Sequence, residues 1–336
     1  MKVTLKQIAA RAGVSINTVS LALRNMPSVN HNTREQIFRI AEELGYFEQK
    51  GRAETAQNLC LISTGAHLKD SYFYMSFHQL ILGLAYERGY NMMVFDNEYF
   101  NSDTERLRRH LKSNSIGGIL ILGDMEEQAA SHIVQCGLPV VAIGSRYHDL
   151  RVCTFIEDNF QAAYQAVSHL YTRGFRRIGF IGDPLYSTAF MERYQSFLSA
   201  LRIFNLASDP DTQLTAFTPD HDHYDHLCKA IAACPQLPEA FFCANDSLGI
   251  AAVKALYGQG LSIPEDISII GVDNNPMGKM AIPSLTSVDV RCALQAELSV
   301  NKLISFVQGE NYEPLRFVVP TVLVQGDSVG VIQQKP

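Results

Sequence analysis

The stretch that most restricts the fold of this chain is Thr4–Asn25, TLKQIAARAGVSINTVSLALRN. Leu5, Ile8, Ala9 and Ala12 recur at the spacing of one apolar helix face, and Gly13 then interrupts the pattern. Beyond Gly13-Val14-Ser15, the series Val14, Thr18, Val19, Ala22 and Leu23 predicts a second short amphipathic helix. Its opposite face carries Ile16, Asn17, Ser20 and Leu21. Two helices joined by a short turn that contains glycine form a helix-turn-helix.

Each position has a physical reason. Ala9 and Ala12 let two steeply crossing helices approach closely, and Gly13 can take the positive φ that ends the first. The Ser15 hydroxyl can accept an orphan N–H of the second helix, whose electropositive N-terminus is the end that enters a major groove in such motifs. On the exposed face, Asn17 suits bidentate pairing with adenine, and Ile16 suits a thymine methyl. A plain helical hairpin is the competing reading. Against it stand a third amphipathic helix expected from Asn32 to Leu44 and the charge distribution. Residues 1–52 carry eight Lys/Arg against four Asp/Glu, whereas residues 53–336 carry 20 against 30. A basic head on an acidic body suits a phosphate-binding module.

These residues resemble the headpiece of the LacI/GalR family of bacterial transcription regulators. The likeness rests on Ala12-Gly13-Val14-Ser15 with Thr18-Val19-Ser20, on Thr33-Arg34 through Leu44-Gly45-Tyr46, and on most of the remaining chain. It implies that Ser15, Ile16, Asn17, Thr18 and Ser20 read the major groove, with Asn25, Ser28 and Arg34 near phosphates. Two departures stand out. Where many members have Ser-Arg-Val-Leu, this chain has Ser20-Leu21-Ala22-Leu23, without the arginine. Its linker, FEQKGRAETAQN, has Glu48 and Gln49 where Pro-Asn is usual, and no leucine before Leu59 to wedge into a minor groove.

With 336 residues, 47% hydrophobic and 18% charged, the chain is long enough for two or three domains. It has no run of about 18 apolar residues and no signal-peptide pattern, so a cytoplasmic protein without a membrane partner is expected. Seven widely spaced cysteines, mostly within apolar runs and without a C-x-x-C pair, read as buried reduced thiols. The expected division is a headpiece and linker over 1–58 and a two-lobed effector and dimerisation domain over 59–336.

From Leu59 onward, apolar runs alternate with helical patterns. Strands are expected at Leu59–Ser63, Asn91–Phe95, Gly118–Leu122, Val140–Ile143, Arg177–Ile181, Leu214–Phe217, Ala240–Cys243 and Ile267–Val272. Helices are expected between them, for example Met75–Arg88, Asn159–Arg173 and Ser247–Tyr257. This is the α/β pattern of parallel sheets with helices on both faces. Arg88-Gly89-Tyr90 and Arg173-Gly174-Phe175 each join a helix end to a strand, which suggests two similar lobes with a ligand cleft at the strand carboxyl ends. The resemblance implies the same periplasmic-binding-protein-like architecture, with crossings near Phe155–Asp158, Thr286–Asp289 and Pro320–Val324.

The candidate ligand residues follow. By position, Arg193 matches the family arginine that clamps the effector, although it also fits a solvated helix arginine; Ser196 stands where glycine is usual. Asn245 and Asp273, at the ends of the apolar strands FFCAN and SIIGVD, match the family's effector-binding asparagine and aspartate. Asp246 reads as a cap for a helix beginning at Ser247. Phe73, Tyr74 and Phe217 match aromatic walls, and Ser145 and Arg146 stand where the family often has an aspartate. The polar run His221–His226 suggests metal ligands at first sight, but it lacks a second cluster and reads as a solvated helix start. There is no phosphate loop, dinucleotide fingerprint, nucleophile elbow or H-E-x-x-H, so no catalytic site, metal or cofactor is expected.

The sequence therefore reads as a sequence-specific repressor, binding operator DNA as a homodimer and controlled by a small effector. A sugar or sugar derivative is favoured; a purine or nucleoside effector, or ligand-dependent activation, stays open. A secreted solute receptor would not need the basic hairpin. An α/β enzyme would need a phosphate loop or an acid/base pair.

Overall fold

A computed structural model describes residues 4–23, 30–44, 58–64, 72–100, 103–219 and 224–332. The first two segments hold helices α1 (Leu5–Ala12), α2 (Ile16–Leu23) and α3 (His31–Glu43). Their apolar faces bury Ile8, Ala9, Val19, Ala22, Ile37 and Ala41 in one small core. Gly13 takes φ 69°, and the Gly13 and Val14 N–H groups both return to the Ala9 carbonyl. Leu21 differs from expectation. It packs against this core instead of standing on the opposite face, because two short helices leave much apolar surface for the third to cover.

The rest of the chain forms two six-stranded sheets. The first comprises β1 (Asn58–Ser63), β2 (Asn91–Asp96), β3 (Ile116–Leu122), β4 (Val140–Ile143), β5 (Cys153–Glu157) and β11 (Arg316–Val319), in the order β11-β5-β4-β3-β1-β2. All its pairings are parallel. Successive side chains of a strand point to opposite faces, so Leu120 and Leu122 join one core and Ile119 and Ile121 another. The first core lies beneath α4 (Tyr72–Glu87) and α12 (Cys292–Val307), through Phe77, Ile81, Ala296, Val300 and Leu303. The second lies beneath α5 (Thr104–Ser113) and α6 (Glu127–Val134). A strand buried on both faces must be apolar throughout, which is why the sequence shows runs here rather than alternation.

The second sheet comprises β6 (Ile178–Ile181), β7 (Gln213–Leu214), β8 (Ala240–Cys243), β9 (Ser268–Val272), β10 (Thr286–Asp289) and β12 (Val322–Val324), in the order β12-β10-β9-β8-β6-β7. It is parallel apart from the edge strand β12. Helices α7 (Asn159–Thr172), α8 (Thr188–Ile203), α9 (Tyr224–Ala233) and α10 (Asp246–Tyr257) contribute to its core, and the short α11 (Pro276–Met280) follows β9. The chain passes between sheets from β5 into α7, from β10 into α12 and from β11 to β12, within a few residues of the three expected crossings. The echoed glycines share one role, with φ 80° at Gly89 and 95° at Gly174 as each helix turns into a strand.

Strand β7 stops at Leu214 instead of running to Phe217. Beyond it the Phe217 carbonyl accepts from the Asp183 N–H, and Phe217 is buried in the second-lobe core. Among the described residues no helix is long and apolar enough to cross a membrane.

Candidate functional site

The carboxyl ends of both sheets face one cleft, whose space together with the solvent at its open mouth comes to about 660 Å³. Its walls include Phe73 and Tyr74 from α4, Asp124 after β3, Glu157 at the end of β5, and Arg193 from α8. Asn245, Asp273 and Gln295 also line it. Five of the eight proposed ligand residues, Phe73, Tyr74, Arg193, Asn245 and Asp273, thus meet in one place.

Arg193 is the centre of the arrangement and is only 3% exposed. Its Nε donates to Asn159 Oδ1 at 2.8 Å, and NH1 donates to the Ala244 carbonyl at 2.7 Å and to Asp273 Oδ1 at 3.4 Å. NH2 lies 3.5 Å from Glu157 Oε1. A buried guanidinium needs such partners, since an unpaired buried charge is costly. The same contacts occupy most of its donors, so Arg193 is held as part of the cleft floor rather than as a free fork.

Asp273 has φ 114°, a backbone conformation that a side chain adopts only when its surroundings hold it there. Burial pushes its carboxyl well above the usual carboxylate range; Arg193 opposes that shift, and Asp246 and Glu157 add to it. Asn245 caps α10, its Oδ1 accepting from the Leu248 N–H at 3.0 Å. The capping role expected of Asp246 therefore falls to its neighbour, because α10 begins at Asp246 and Asn245 has the extended backbone of a cap. Asp246 is fully buried, accepting from Ser287 Oγ at 2.6 Å and from the Asn275 N–H at 2.8 Å. Burial raises its carboxyl to about 7.

The Phe73 ring meets Tyr74 edge-on at 5.2 Å and Phe77 at 5.3 Å. Burial raises the Tyr74 hydroxyl far above its ordinary value, with Tyr186 and Glu157 adding to the effect. That phenol stays neutral.

Three expected ligand residues do not line the cleft. Ser145 is buried and donates to the Gly123 carbonyl, tying two loops of the first lobe together. Arg146 turns to Glu192 on α8, making an ion pair across the lobes through Nε and a 3.2 Å bond through NH2. Phe217 is a core residue, as described above. Conversely, Asp124, Glu157 and Gln295 line the cleft, and Asn159 and Glu192 brace it from beneath, without being candidates from the sequence. Asp124 and Glu157 carry the same signal as Asn245 and Asp273, a polar residue just after or at the end of an apolar strand. Gln295 lies inside a helix, where nothing local marks it.

In the helix-turn-helix, the Thr18 N–H donates to Ser15 Oγ at 3.0 Å, and the two hydroxyls are 2.8 Å apart. Ser15 is thus the cap that the sequence predicts. Ile16 stands 49% exposed and Asn17 is exposed beside it at the first turn of α2, while Thr18 and Ser20 are half-buried. Asn25, Ser28, the Arg34 side chain, the linker and His221–His223 lie outside the described residues. Tyr224, Asp225 and His226 form the first turn of α9.

The comparisons with known proteins agree with both halves. Residues 4–49 match the model for bacterial regulatory proteins of the lacI family, and residues 167–329 match a periplasmic binding protein-like domain. The repressor CytR of Escherichia coli (strain K12) is 30% identical over 85% of this chain and 84% of its own length. The chain belongs to the LacI family. It is a DNA-binding transcription regulator carrying an effector-binding domain. The NTD biosynthesis operon regulator NtdR of Bacillus subtilis (strain 168) is 29% identical over 97% of this chain and 99% of its own length. Among solved LacI-type structures, the regulator CelR in complex with cellobiose superposes with a TM-score of 0.71 at 26% identity, covering 97% of this chain and 99% of that one. The lac repressor dimer bound to operator and the anti-inducer ONPF gives a TM-score of 0.71 at 21% identity, over 98% and 99% of the two chains, and supports the fold.

Proposed function

We propose that this chain is a cytoplasmic repressor, without catalytic activity, that binds a two-fold symmetric operator as a homodimer and is controlled by a sugar-class effector in the cleft. The observation that carries this reading is the pairing of an exposed, Ser15-capped helix end bearing Ile16 and Asn17 with a cleft built around Arg193 and Asp273. One headpiece reads too few base pairs for genomic specificity, and a two-fold dimer doubles the site. In the headpiece, Ser15, Ile16, Asn17, Thr18 and Ser20 meet base edges, and Asn25, Ser28 and Arg34 serve the phosphates. In the cleft, Phe73 and Tyr74 offer apolar ring faces to a ligand, while Asn245 and Asp273 offer polar partners. The bound cellobiose of CelR favours a saccharide-class ligand here.

Control follows from the two-lobed geometry. An effector that touches both lobes favours one closure state, and the difference in headpiece placement between states becomes a coupling free energy for DNA. Ligand titrations of operator-bound protein test this reading. A cleft ligand is expected to change DNA affinity in the parent protein and to leave it unchanged in Arg193→Ala. A ligand response that survives Arg193→Ala would place the effector elsewhere.

A further inference from the structure

The hydrogen-bonding groups that line the cleft are unevenly balanced. Among the described residues, three carboxyl groups, Asp124, Glu157 and Asp273, stand around one cation, Arg193, and no other charged side chain of that set lines the space. Asp124 is already engaged across the lobes, its Oδ2 accepting from the Thr188 N–H at 2.7 Å and its Oδ1 from the Thr188 hydroxyl at 3.3 Å. Glu157 and Asp273 each use one oxygen on Arg193, and among the described residues nothing donates to Glu157 Oε2 or Asp273 Oδ2.

Gln295 gives an independent sign of a missing partner. It is 1% exposed and lines the same cleft; its Nε2 donates to the Val290 carbonyl at 2.7 Å, which fixes the orientation of the amide. Its Oε1 is buried, with no hydrogen-bond partner among the described residues. A buried acceptor left unmatched destabilises the fold unless a ligand supplies the donor. The unmatched groups around Arg193 are therefore acceptors, two of them on carboxylates. Arg193 has few donors left; the neutral donors in view are the Asn245 amide and the hydroxyls of Tyr74, Tyr186 and Ser187, and none of the described hydrogen bonds joins one of them to Glu157 Oε2, Asp273 Oδ2 or Gln295 Oε1.

We infer that the effector presents a protonated amine to Glu157, Asp273 and Gln295, so that the ligand class is an amino sugar or aminated polyol rather than a neutral sugar, a sugar acid or a sugar phosphate. This inference rests on the cleft being the effector site. An ammonium carries three donors and no acceptor, which matches what these three side chains lack. A hydroxyl would supply one donor and bring lone pairs toward carboxylates. An anion would meet Asp124 and Glu157 against the single described cation Arg193, an excess of negative charge even with Asp273 neutral, in a half-enclosed site where Coulomb terms are weakly screened. Burial also holds the Asp273 carboxyl toward its neutral form, and an ammonium beside it restores ionisation as Arg193 partly does.

The test is calorimetric titration of the full chain with matched sets: 2-amino-2-deoxyhexoses, 6-amino-6-deoxyhexoses and aminopentitols, each beside its hydroxyl parent, N-acetyl derivative and phosphate ester. At least one amine is expected to bind about tenfold or more tightly than its hydroxyl parent, with its N-acetyl and phosphate counterparts weaker still. In Asp273→Asn, a change whose backbone demand asparagine tolerates, the amine's advantage is expected to shrink to about threefold or less; Glu157→Gln serves as the second variant. Binding of no amine, equal binding of a parent or phosphate, or an advantage that survives both variants would overturn the inference. Repeating the titrations on protein bound to DNA fragments it selects separates the two readings. A neutral sugar that binds and shifts DNA affinity overturns the charge assignment alone. An amine that binds through Asp273 and leaves DNA affinity unchanged upholds the charge assignment and overturns the effector role.

Discussion

The Arg146 guanidinium, on the loop after β4, is ion-paired with the Glu192 carboxylate on α8 of the other lobe. Glu192 Oε2 also accepts from Asn159 Nδ2 at 2.8 Å, and Asn159 Oδ1 holds Arg193 Nε at 2.8 Å. A contact between lobes is thereby joined to the floor of the cleft. Together with the bond from Thr188 to Asp124, it clasps the two lobes to each other on the side of α8. Replacing Arg146 with methionine keeps the apolar stem and removes the charge. The expected cost is about 1–2 kcal/mol, below that of breaking a fully buried pair because Arg146 is partly exposed and Asn159 still serves Glu192. Urea unfolding of the two proteins checks this.

The headpiece prediction concerns Asn17. Removing its amide takes away a base-edge contact and leaves phosphate contacts in place, so Asn17→Ala should weaken specific DNA binding by about 1–3 kcal/mol. The dependence of non-specific binding on salt should stay nearly unchanged, since it counts neutralised phosphates. Binding isotherms on specific and random DNA at several salt concentrations measure both.

Gly271 lies against the buried Asp246 carboxylate. A Cβ built there would meet Asp246 Oδ1 at 2.3 Å and Leu285 Cδ2 at 2.9 Å. Gly271→Ala should therefore destabilise the effector domain by about 1–3 kcal/mol, the usual cost of overpacking a filled core, as read from denaturant unfolding.

The pH dependence of stability has a definite sign at Asp246. Its folded carboxyl sits at about 7 against an ordinary value of 3.8, so the folded state binds the proton more tightly than the unfolded chain. That contribution is fully present below about pH 4 and is lost as pH rises through about 7. Asp273 acts in the same direction, whereas Glu127, held low by the N–H groups of Asp149, His148 and Leu150, acts in the opposite one. The comparison that isolates Asp246 is Asp246→Asn. An asparagine can accept from the Asn275 N–H and donate to Ser287 Oγ, so the variant should lose less stability than the parent between pH 5 and 8, by on the order of 2–4 kcal/mol.

Sequence periodicity was enough to find the helix-turn-helix, because its alternation of small, apolar and capping residues is local; Ser15 caps α2 as its spacing requires. The same holds for Val140–Ile143 and Ala240–Cys243, buried strands bounded by polar residues. Strands such as Thr286–Asp289 and Val322–Val324 lie outside that reach, since their pairing depends on chain segments far away in sequence. Within the site, Arg193 and Asp273 could be placed by position, but not what each faces. Arg146 illustrates the gap: its partner Glu192 is 46 residues away, and only the meeting of two lobes brings them together. Phe217 shows the converse, an aromatic beside the expected site whose side chain the core claims first.

The most direct test of the account is selection of genomic DNA fragments by the purified full chain at near-physiological salt, followed by footprinting on the enriched sites. The predicted result is a two-fold symmetric site, protected by the parent protein and lost in Asn17→Ala. Failure to enrich any symmetric site, or an identical footprint from Asn17→Ala, would contradict the claim that α2 reads operator DNA in a dimer.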